Sequence, residues 1–375
     1  MAHTERILIV GGGIAGLTLA TALHQHGFQA ELIERSPLWH AIGAGIAVQP
    51  NGMRILHALG IGASVEQAGA VIRHWDFCDQ RGAVLSETGL EALWGDVGAF
   101  IGIARAELHQ LLLSAAAAVP ARLGVSVTSL AQINDSVLVG LSDGSTGRYD
   151  LLVGADGIAS RVRTLALSAD RPISAGQTVW RSLAPIRPRG LTTLQFLLGD
   201  GCFFGLCPIG NGQTYGFGNV SEPRSHDPVP GRLARLRERF AGFGAIVQDY
   251  LAALTTDEQI HCSTIEWLER AAWYRGRVVL IGDAAHASSP MMGQGGCLAM
   301  EDALVLAEEL HTAASVEQAL ECYVSRRKAR VSWVQEASRT VAESFRLAPA
   351  VRTTVLRERG ERLMQQRFAP LISAP

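Results

Sequence analysis

The sequence predicts an α/β fold: a parallel, helix-flanked core interleaved with a mixed-sheet layer and closed by C-terminal helices. Three apolar runs carry the first part, Ile7 to Val10, Leu151 to Val153 and Val278 to Ile281, and each stops at a glycine. Runs this short and this uniformly apolar suit strands covered on both faces. From about residue 169 to 271 the pattern changes to alternating segments with two short helical stretches, which carries the second part.

The first strand, Arg6 to Val10, leads into Gly11-Gly12-Gly13-Ile14-Ala15-Gly16 and a helical stretch from Leu17 to His26. A second strand, Gln29 to Ile33, delivers Glu34. This is G-x-G-x-x-G between strand and helix, with an acid ending the next strand. Gly11 permits the tight turn, Gly13 lets a pyrophosphate approach the backbone, and Gly16 lets helix pack on strand. Glu34 would take the ribose hydroxyls of an adenosine, with Ala15 and Arg35 completing the contact set. The unit is Rossmann-type and predicts a bound dinucleotide, without separating FAD from NAD. The plain alternative is a glycine-rich turn in an ordinary α/β protein.

Gly43 and Gly45 lie in Ala41 to Pro50 and suggest a backbone that must bend or move. An amphipathic helix, Asn51 to Leu59, follows. His74 to Gly89, with Arg81-Gly82 at its middle, reads as a hairpin of a second, antiparallel layer. Arg105 leads into a helix from Ala106 to Ala118, where it could meet a pyrophosphate or ribityl chain, or simply solvent. Arg122 to Leu130 and Asp135 to Leu141 give a small sheet turning at Asp143-Gly144.

Leu151 to Gly157 is another strand ending in an acid and a glycine, with Ser160 and Arg163 at D-G-x-x-S-x-x-R spacing from Asp156. Asp156 could order a pyrophosphate-binding arginine; by itself the spacing also describes a capped helix. In the stretch that follows, Val179 to Leu183, Leu191 to Leu198, Cys202 to Ile209, Thr214 to Val220 and Gln259 to Ile265 read as strands. Arg232 to Phe240 and Ala245 to Leu254 read as helices. Residues 1–73, 100–168 and 272–345 are expected to form the dinucleotide domain, 74–99 and 169–271 the substrate layer, and 346–375 a C-terminal helical tail. The basic run Ser325 to Arg330 is expected on a solvated helix face.

Val278 to Ala303 is the stretch around which the rest is arranged. Its strand places Asp283 at the carboxyl edge, where open α/β sheets bind ligands. Pro290, Gly293, Gly295 and Gly296 then make a loop poor in side chains, able to lie against a planar ligand. From Cys297 the apolar spacing is helical, so unpaired N–H groups and a positive dipole end face that ligand. Reduced flavin suits both features, through its ribityl chain and its anionic pyrimidine edge.

The 375 residues are 48% hydrophobic and 18% charged, with net charge −2, so neither nucleic acid nor an anionic membrane is an expected partner. Six scattered cysteines form no CxxC pair, which predicts no metal site and no disulfide framework and suits a cytoplasmic protein. No signal-type leader and no run long enough to cross a bilayer are read. Monomer or homodimer is expected.

Taken together, GGGIAG with Glu34, VGADGIASRVR and VVLIGDAAHASSPMMGQGGCLAMEDA resemble the class A flavoprotein monooxygenases of the para-hydroxybenzoate hydroxylase fold. The wording is most similar to the salicylate hydroxylase, urate hydroxylase and zeaxanthin epoxidase-like branch, over roughly Arg6 to Phe345. The resemblance implies a Rossmann-type FAD-binding domain, non-covalent FAD, NADH or NADPH as a transient reductant and O2 as co-substrate. It implies hydroxylation of an aromatic or heteroaromatic compound through a flavin C4a-hydroperoxide. Gly11, Gly13, Gly16 and Glu34 would hold the ADP half, Arg105 and Asp283 the pyrophosphate and ribityl chain, and Pro290 through Cys297 the ring. Asp156 and Arg163 would serve the flavin and the nicotinamide. Gly43 and Gly45 fit a flavin or loop that swings between reduction and oxygenation.

No catalytic base is assigned. Ala47 stands where some relatives carry a polar residue, and His286 belongs to the motif wording. Arg181, Phe204, Leu206 and Tyr215 are the substrate-facing candidates. No Arg, Lys or His lies between Cys202 and Gln213, and burying an unpartnered carboxylate is costly, so a neutral, largely apolar aromatic is expected. An alkene epoxidase of the same fold and a non-catalytic flavin-binding protein are the alternatives.

Overall fold

The computed structural model describes residues 6–39, 44–168, 170–222, 227–269 and 272–375, so Gly43 lies outside the described residues. The chain opens with β1 (Ile7–Val10), α1 (Ile14–Gln25) and β2 (Ala30–Glu34). Then come β3 (Gly45–Val48), α2 (Pro50–Ala58), α3 (Gly62–Ala68) and β4 (Ala70–Val71). The hairpin β5 (His74–Asp79) and β6 (Val84–Gly89) precedes α4 (Leu90–Trp94), β7 (Ile101–Ala104) and α5 (Arg105–Ala115). β8 (Ala121–Leu123), β9 (Val127–Ile133), β10 (Ser136–Leu141) and β11 (Thr146–Tyr149) lead to β12 (Leu151–Gly154) and α6 (Arg161–Ala166).

Four strands follow: β13 (Ile173–Ala184), β14 (Leu194–Leu198), β15 (Cys202–Pro208) and β16 (Thr214–Val220). After them come α7 (Arg232–Arg239), α8 (Ala245–Ala252) and β17 (His261–Trp267). The chain closes with β18 (Tyr274–Arg275), β19 (Val278–Leu280), α9 (Asp283–His286), α10 (Gly295–Thr312), α11 (Val316–Ser344) and α12 (Pro349–Phe368).

The first sheet has six strands in the order β18-β19-β12-β1-β2-β8 and is parallel except at β18. Its register sets Val10 beside Gly154, and Gly154 beside Leu280. The glycine loop, the Asp156 turn and the Asp283 turn therefore leave the sheet at one carboxyl edge, where ligands of this architecture bind. The three strands are fully buried, as their unbroken apolar composition requires.

The second sheet has seven strands in the order β17-β13-β16-β15-β14-β5-β6. The hairpin joins it as read, but β5 pairs with β14 in parallel, so this layer is mixed. The helix α12 lies on β6: a Cβ at Gly360 would sit 2.2 Å from Ser86 Oγ. Its Phe368 ring meets Trp75 and Trp94, both buried.

The solvated face expected for Ser325 to Arg330 holds for Ser325, Arg326, Lys328 and Ala329 and is corrected for the two other arginines. Arg327 is wholly buried and Arg330 is 9% exposed. Both point from α11 into α10, where Glu301 and Asp302 form ion pairs with them. The acids lie too far away in sequence for helix spacing to reveal the pairing.

Candidate functional site

Three glycines at the end of β1 divide by what surrounds them. Gly11 has φ +111°, and a Cβ there would meet the Ala155 carbonyl oxygen at 2.4 Å. A Cβ at Gly16 would lie 1.9 Å from the Gly11 carbonyl oxygen. Both are demanded by the turn itself. At Gly13, which caps α1 without a side chain, a Cβ would meet nothing within 4 Å. Only this glycine opens towards a ligand, beside the free N–H groups of the first turn of α1. That is the cradle a pyrophosphate needs, and a side chain would fill it. Ala15, 8% exposed, packs towards the third motif, since a Cβ at Gly282 would lie 3.2 Å from its own.

The Glu34 carboxylate is fixed at the end of β2 by the N–H groups of Gly12 and Ser36, each at 2.8 Å. Arg35 is exposed beside it. Two residues that sequence reading missed complete this end. Trp39 packs so close to Gly12 that a Cβ there would meet its ring at 2.4 Å. His109 on α5 reaches the Gly12 carbonyl oxygen with Nε2 at 2.9 Å. Neither stands in a motif; they are brought in by the turn after β2 and by the buried face of α5.

Asp283 opens α9 with its side chain exposed, and a Cβ at Gly295 would lie 3.9 Å from its Oδ1. Arg105 starts α5, where its backbone N–H donates to the Ala44 carbonyl. Burial lowers the Arg105 pKa, Asp283 and Tyr215 oppose that, and Arg181 adds to it. These four side chains share one electrostatic neighbourhood, although they come from four distant segments.

Asp156 and Arg163 are placed otherwise than the resemblance implied. Asp156 accepts from Ser160 Oγ at 2.5 Å and from the N–H groups of Arg161 and Val162 at 2.7 and 3.1 Å. Ser160 Oγ in turn caps the Arg163 N–H. Arg163, 2% exposed, donates to the carbonyls of Ala284, Ile158 and Asp170. With its N–H groups turned to these three carbonyls, of which Ala284's is buried, it braces α6 against the residue after Asp283.

Pro290 begins a short turn that ends at Gly293, φ +64°. Gly295 and Gly296 then start α10, and a Cβ at Gly296 would meet Ile46 Cδ1 at 2.9 Å. The Cys297 thiol is buried against α2, and burial pushes its pKa up to about 12, so it stays a neutral thiol. Behind the loop, Gln49, Asn51 and Gln294 form a buried hydrogen-bonded cluster. The positive end of an 18-residue helix thus faces the edge that carries Asp283.

The second sheet turns one face to this edge, and the register says which. Arg181 pairs with Phe217, Leu183 with Tyr215, and Tyr215 with Cys207, so these share a face. A Cβ at Gly45 would meet the Tyr215 ring at 2.4 Å, which puts that face against β3. Arg181, Leu183, Tyr215 and Phe217 are half-buried there. Phe204 and Leu206 are corrected: they point the other way, 1% and 0% exposed, into a separate core with Phe240, Tyr250 and Leu251 of the α7–α8 layer. β15 is apolar on both faces, so its alternation could not show which face is covered by helices. Cys207 and Phe217 lie on the opposite face, where Cys207 is 1% exposed and packs on Gly102 of β7.

Burial raises the Tyr215 pKa, with Arg181 pulling it down, so the phenol stays protonated at neutral pH. Arg181 Nη1 donates to Ser263 Oγ at 2.9 Å. His286, by contrast, is buried, with Nε2 hydrogen-bonded to Asp302. Among the described residues there is no cluster of His, Cys, Asp and Glu able to hold a metal, and no helix long and apolar enough to cross a membrane.

The arrangement can bind an extended anionic dinucleotide along one sheet edge and a flat ring at the start of α10. Comparison with known proteins agrees with that chemistry. Residues 4–338 match the family model described as FAD binding domain. The chain is 35% identical over 345 residues to the aurachin C monooxygenase/isomerase of Stigmatella aurantiaca, covering 91% of this chain and 88% of that protein. It is 32% identical over 390 residues to an FAD-dependent urate hydroxylase of Klebsiella pneumoniae, covering 99% of each. The crystal structure of Klebsiella pneumoniae HpxO with FAD and uric acid superposes with a TM-score of 0.90 at 29% identity, over 99% of this chain and 97% of that one.

Proposed function

The chain belongs to the FAD binding domain family and is an FAD-dependent aromatic monooxygenase; from that premise we propose what it oxidises and which residues hold it. It uses FAD, with NAD(P)H as reductant and O2 as co-substrate. FAD supplies the hydride acceptance and oxygen activation. Gly11, Gly13, Gly16 and Glu34 bind the ADP half, with Ala15 and Arg35 alongside. Arg105 and Asp283 orient the pyrophosphate and ribityl chain, and Pro290, Gly293, Gly295, Gly296 and Cys297 line the ring. Asp156 and Arg163 support the Asp283 turn from behind.

The substrate is a neutral, largely apolar aromatic or heteroaromatic ring carrying one oxygen substituent. The observation that carries this reading is the half-open wall of Arg181, Leu183, Tyr215 and Phe217 facing the Asp283 edge. Leu183 and Phe217 offer apolar area, worth roughly 25 cal/mol per Å2 removed from water. Protonated Tyr215 donates a hydrogen bond to the oxygen substituent, and Arg181 holds the phenol in place. Arg181 already donates to Ser263, and its wall is otherwise apolar, which makes it a poor clamp for a carboxylate.

The test is NAD(P)H oxidation coupled to product formation across matched phenols and benzoates. Substrate-stimulated turnover on the neutral members, weakened at least tenfold by Tyr215→Phe, is expected. Tighter coupling on carboxylated rings, lost with Arg181→Ala, would make Arg181 the clamp and reverse the charge assignment.

A further inference from the structure

Glu301 lies on α10, one and a half turns beyond the helix start at Gly295. Its carboxylate accepts from Arg330 Nε at 2.9 Å, Arg330 Nη2 at 2.8 Å and Asn51 Nδ2 at 2.8 Å, and forms an ion pair with Arg327 Nη1 at 2.6 Å. Asn51 Nδ2 also donates to Gln294 Oε1 at 2.9 Å. Gln294 Nε2 donates back to Asn51 Oδ1 at 3.1 Å and to Gln49 Oε1 at 2.7 Å. Gln49 Nε2 closes the chain on the Met292 carbonyl at 2.7 Å. Loop residues 292 and 294 are thus held from behind by side chains that end at Glu301.

The other half of the Arg330 guanidinium faces away from the loop. Nη1 donates to the Pro370 carbonyl at 2.7 Å, and Nη2 to the Leu371 carbonyl at 2.9 Å. One buried cation therefore joins the C-terminal segment to the acid that sets the loop. Gln49, Asn51, Gln294, Glu301 and Asp302 are each 0% or 1% exposed, so water does not substitute for a lost partner.

We propose that Arg330 is a positioning residue for the flavin, and that Pro370 and Leu371 belong to the flavin site through it. The proposal rests on the FAD reading above. Two physical effects carry it. Arg330 and Arg327 together balance Glu301 and Asp302; without Arg330, negative charge accumulates behind the α10 N-terminus and opposes an anionic reduced ring there. Arg330 also fixes the direction of the Glu301 carboxylate, hence of Asn51 and Gln294. A planar guanidinium can chelate one carboxylate and reach two carbonyls at once, whereas a lysine ammonium cannot.

The test compares Arg330→Lys, Arg330→Gln, a chain ending at Ala369, and Arg326→Ala. Arg326 anchors the Pro375 carbonyl and pairs with Glu308 and Glu309, so it reports on tail docking without touching the network. Three quantities are read: amide exchange of Met292 to Gly296 in flavin-free protein, its melting temperature, and the midpoint potential of bound FAD. Arg330→Gln and the shortened chain should speed loop exchange at least tenfold, and Arg330→Gln should move the potential to more negative values. The shortened chain should move it the same way by less, Arg330→Lys should fall between, and Arg326→Ala should match wild type. Slower folding or a lower melting temperature with wild-type loop exchange and potential would overturn the proposal, leaving the tail as a cover for α11. If Arg330→Gln does not fold, the lysine variant and the shortened chain decide the same question. A wild-type protein that retains no FAD would defeat the functional reading, while the exchange data would still decide the link.

Discussion

Gly45 and the ring of Tyr215 touch so closely that a Cβ at residue 45 would lie 2.4 Å from Tyr215 Cγ. This contact joins β3 to the seven-stranded sheet, and it sets the tyrosine near Arg105 and Arg181.

Gly45→Ala should therefore move the tyrosine without touching the ADP half of the site. Overpacking of this kind costs about 1–3 kcal/mol where the neighbour cannot yield. FAD retention should persist, while product formed per NAD(P)H falls and peroxide rises. Equal loss of FAD affinity and coupling would show that β3 acts on the flavin instead.

Gly13 and Gly16 should respond in different ways to an added side chain. Alanine at Gly16 would collide with the Gly11 carbonyl oxygen, so Gly16→Ala should lower the melting temperature of the flavin-free protein. A Cβ at Gly13 meets nothing within 4 Å, so Gly13→Val should lower that temperature far less, by the loss of a glycine N-cap, while abolishing FAD retention. Calorimetry of the stripped protein beside flavin absorbance reads both; loss of folding in Gly13→Val would contradict the open cradle.

Asp283 and Arg163 make a second contrasting pair. Asp283 is exposed, so Asp283→Ala should spare the fold and weaken FAD binding. A charged hydrogen bond contributes about 1.5–3 kcal/mol, or roughly tenfold or more in affinity. Arg163→Met should instead destabilise the flavin-free protein, because the carbonyls of Ile158, Asp170 and buried Ala284 lose their donor. Titration with FAD and thermal melts distinguish them, and a stable Arg163→Met protein that binds FAD weakly would restore the direct cofactor role.

How much could be read beforehand depends on how local each feature is. The strand, glycine turn, helix and Glu34 unit lies within the first 34 residues, and its spacing alone implied its conformation and a dinucleotide, without separating FAD from NAD. The Asp283 turn and the helix behind it were legible for the same reason. Asp156 and Arg163 were legible as a capped helix, but the direction of Arg163 depended on the Ala284 carbonyl, 121 residues away. The basic run on α11 looked solvated because its partners, Glu301 and Asp302, belong to another helix.

By itself, then, the sequence determined the α/β class, the sheet edge reached by the three glycine-bearing motifs, and the order of those motifs. Short-range rules govern these: apolar period, glycine where the backbone must turn, acid at a strand end. Only the tertiary structure decided which face of β15 is covered by α7 and α8 and which looks into the cleft. It also brought Arg105, Arg181, Tyr215 and Asp283 together and turned Arg330 inward. Burial of a face or a charge is settled by what packs on it, and here every such partner lies on a different segment of the chain.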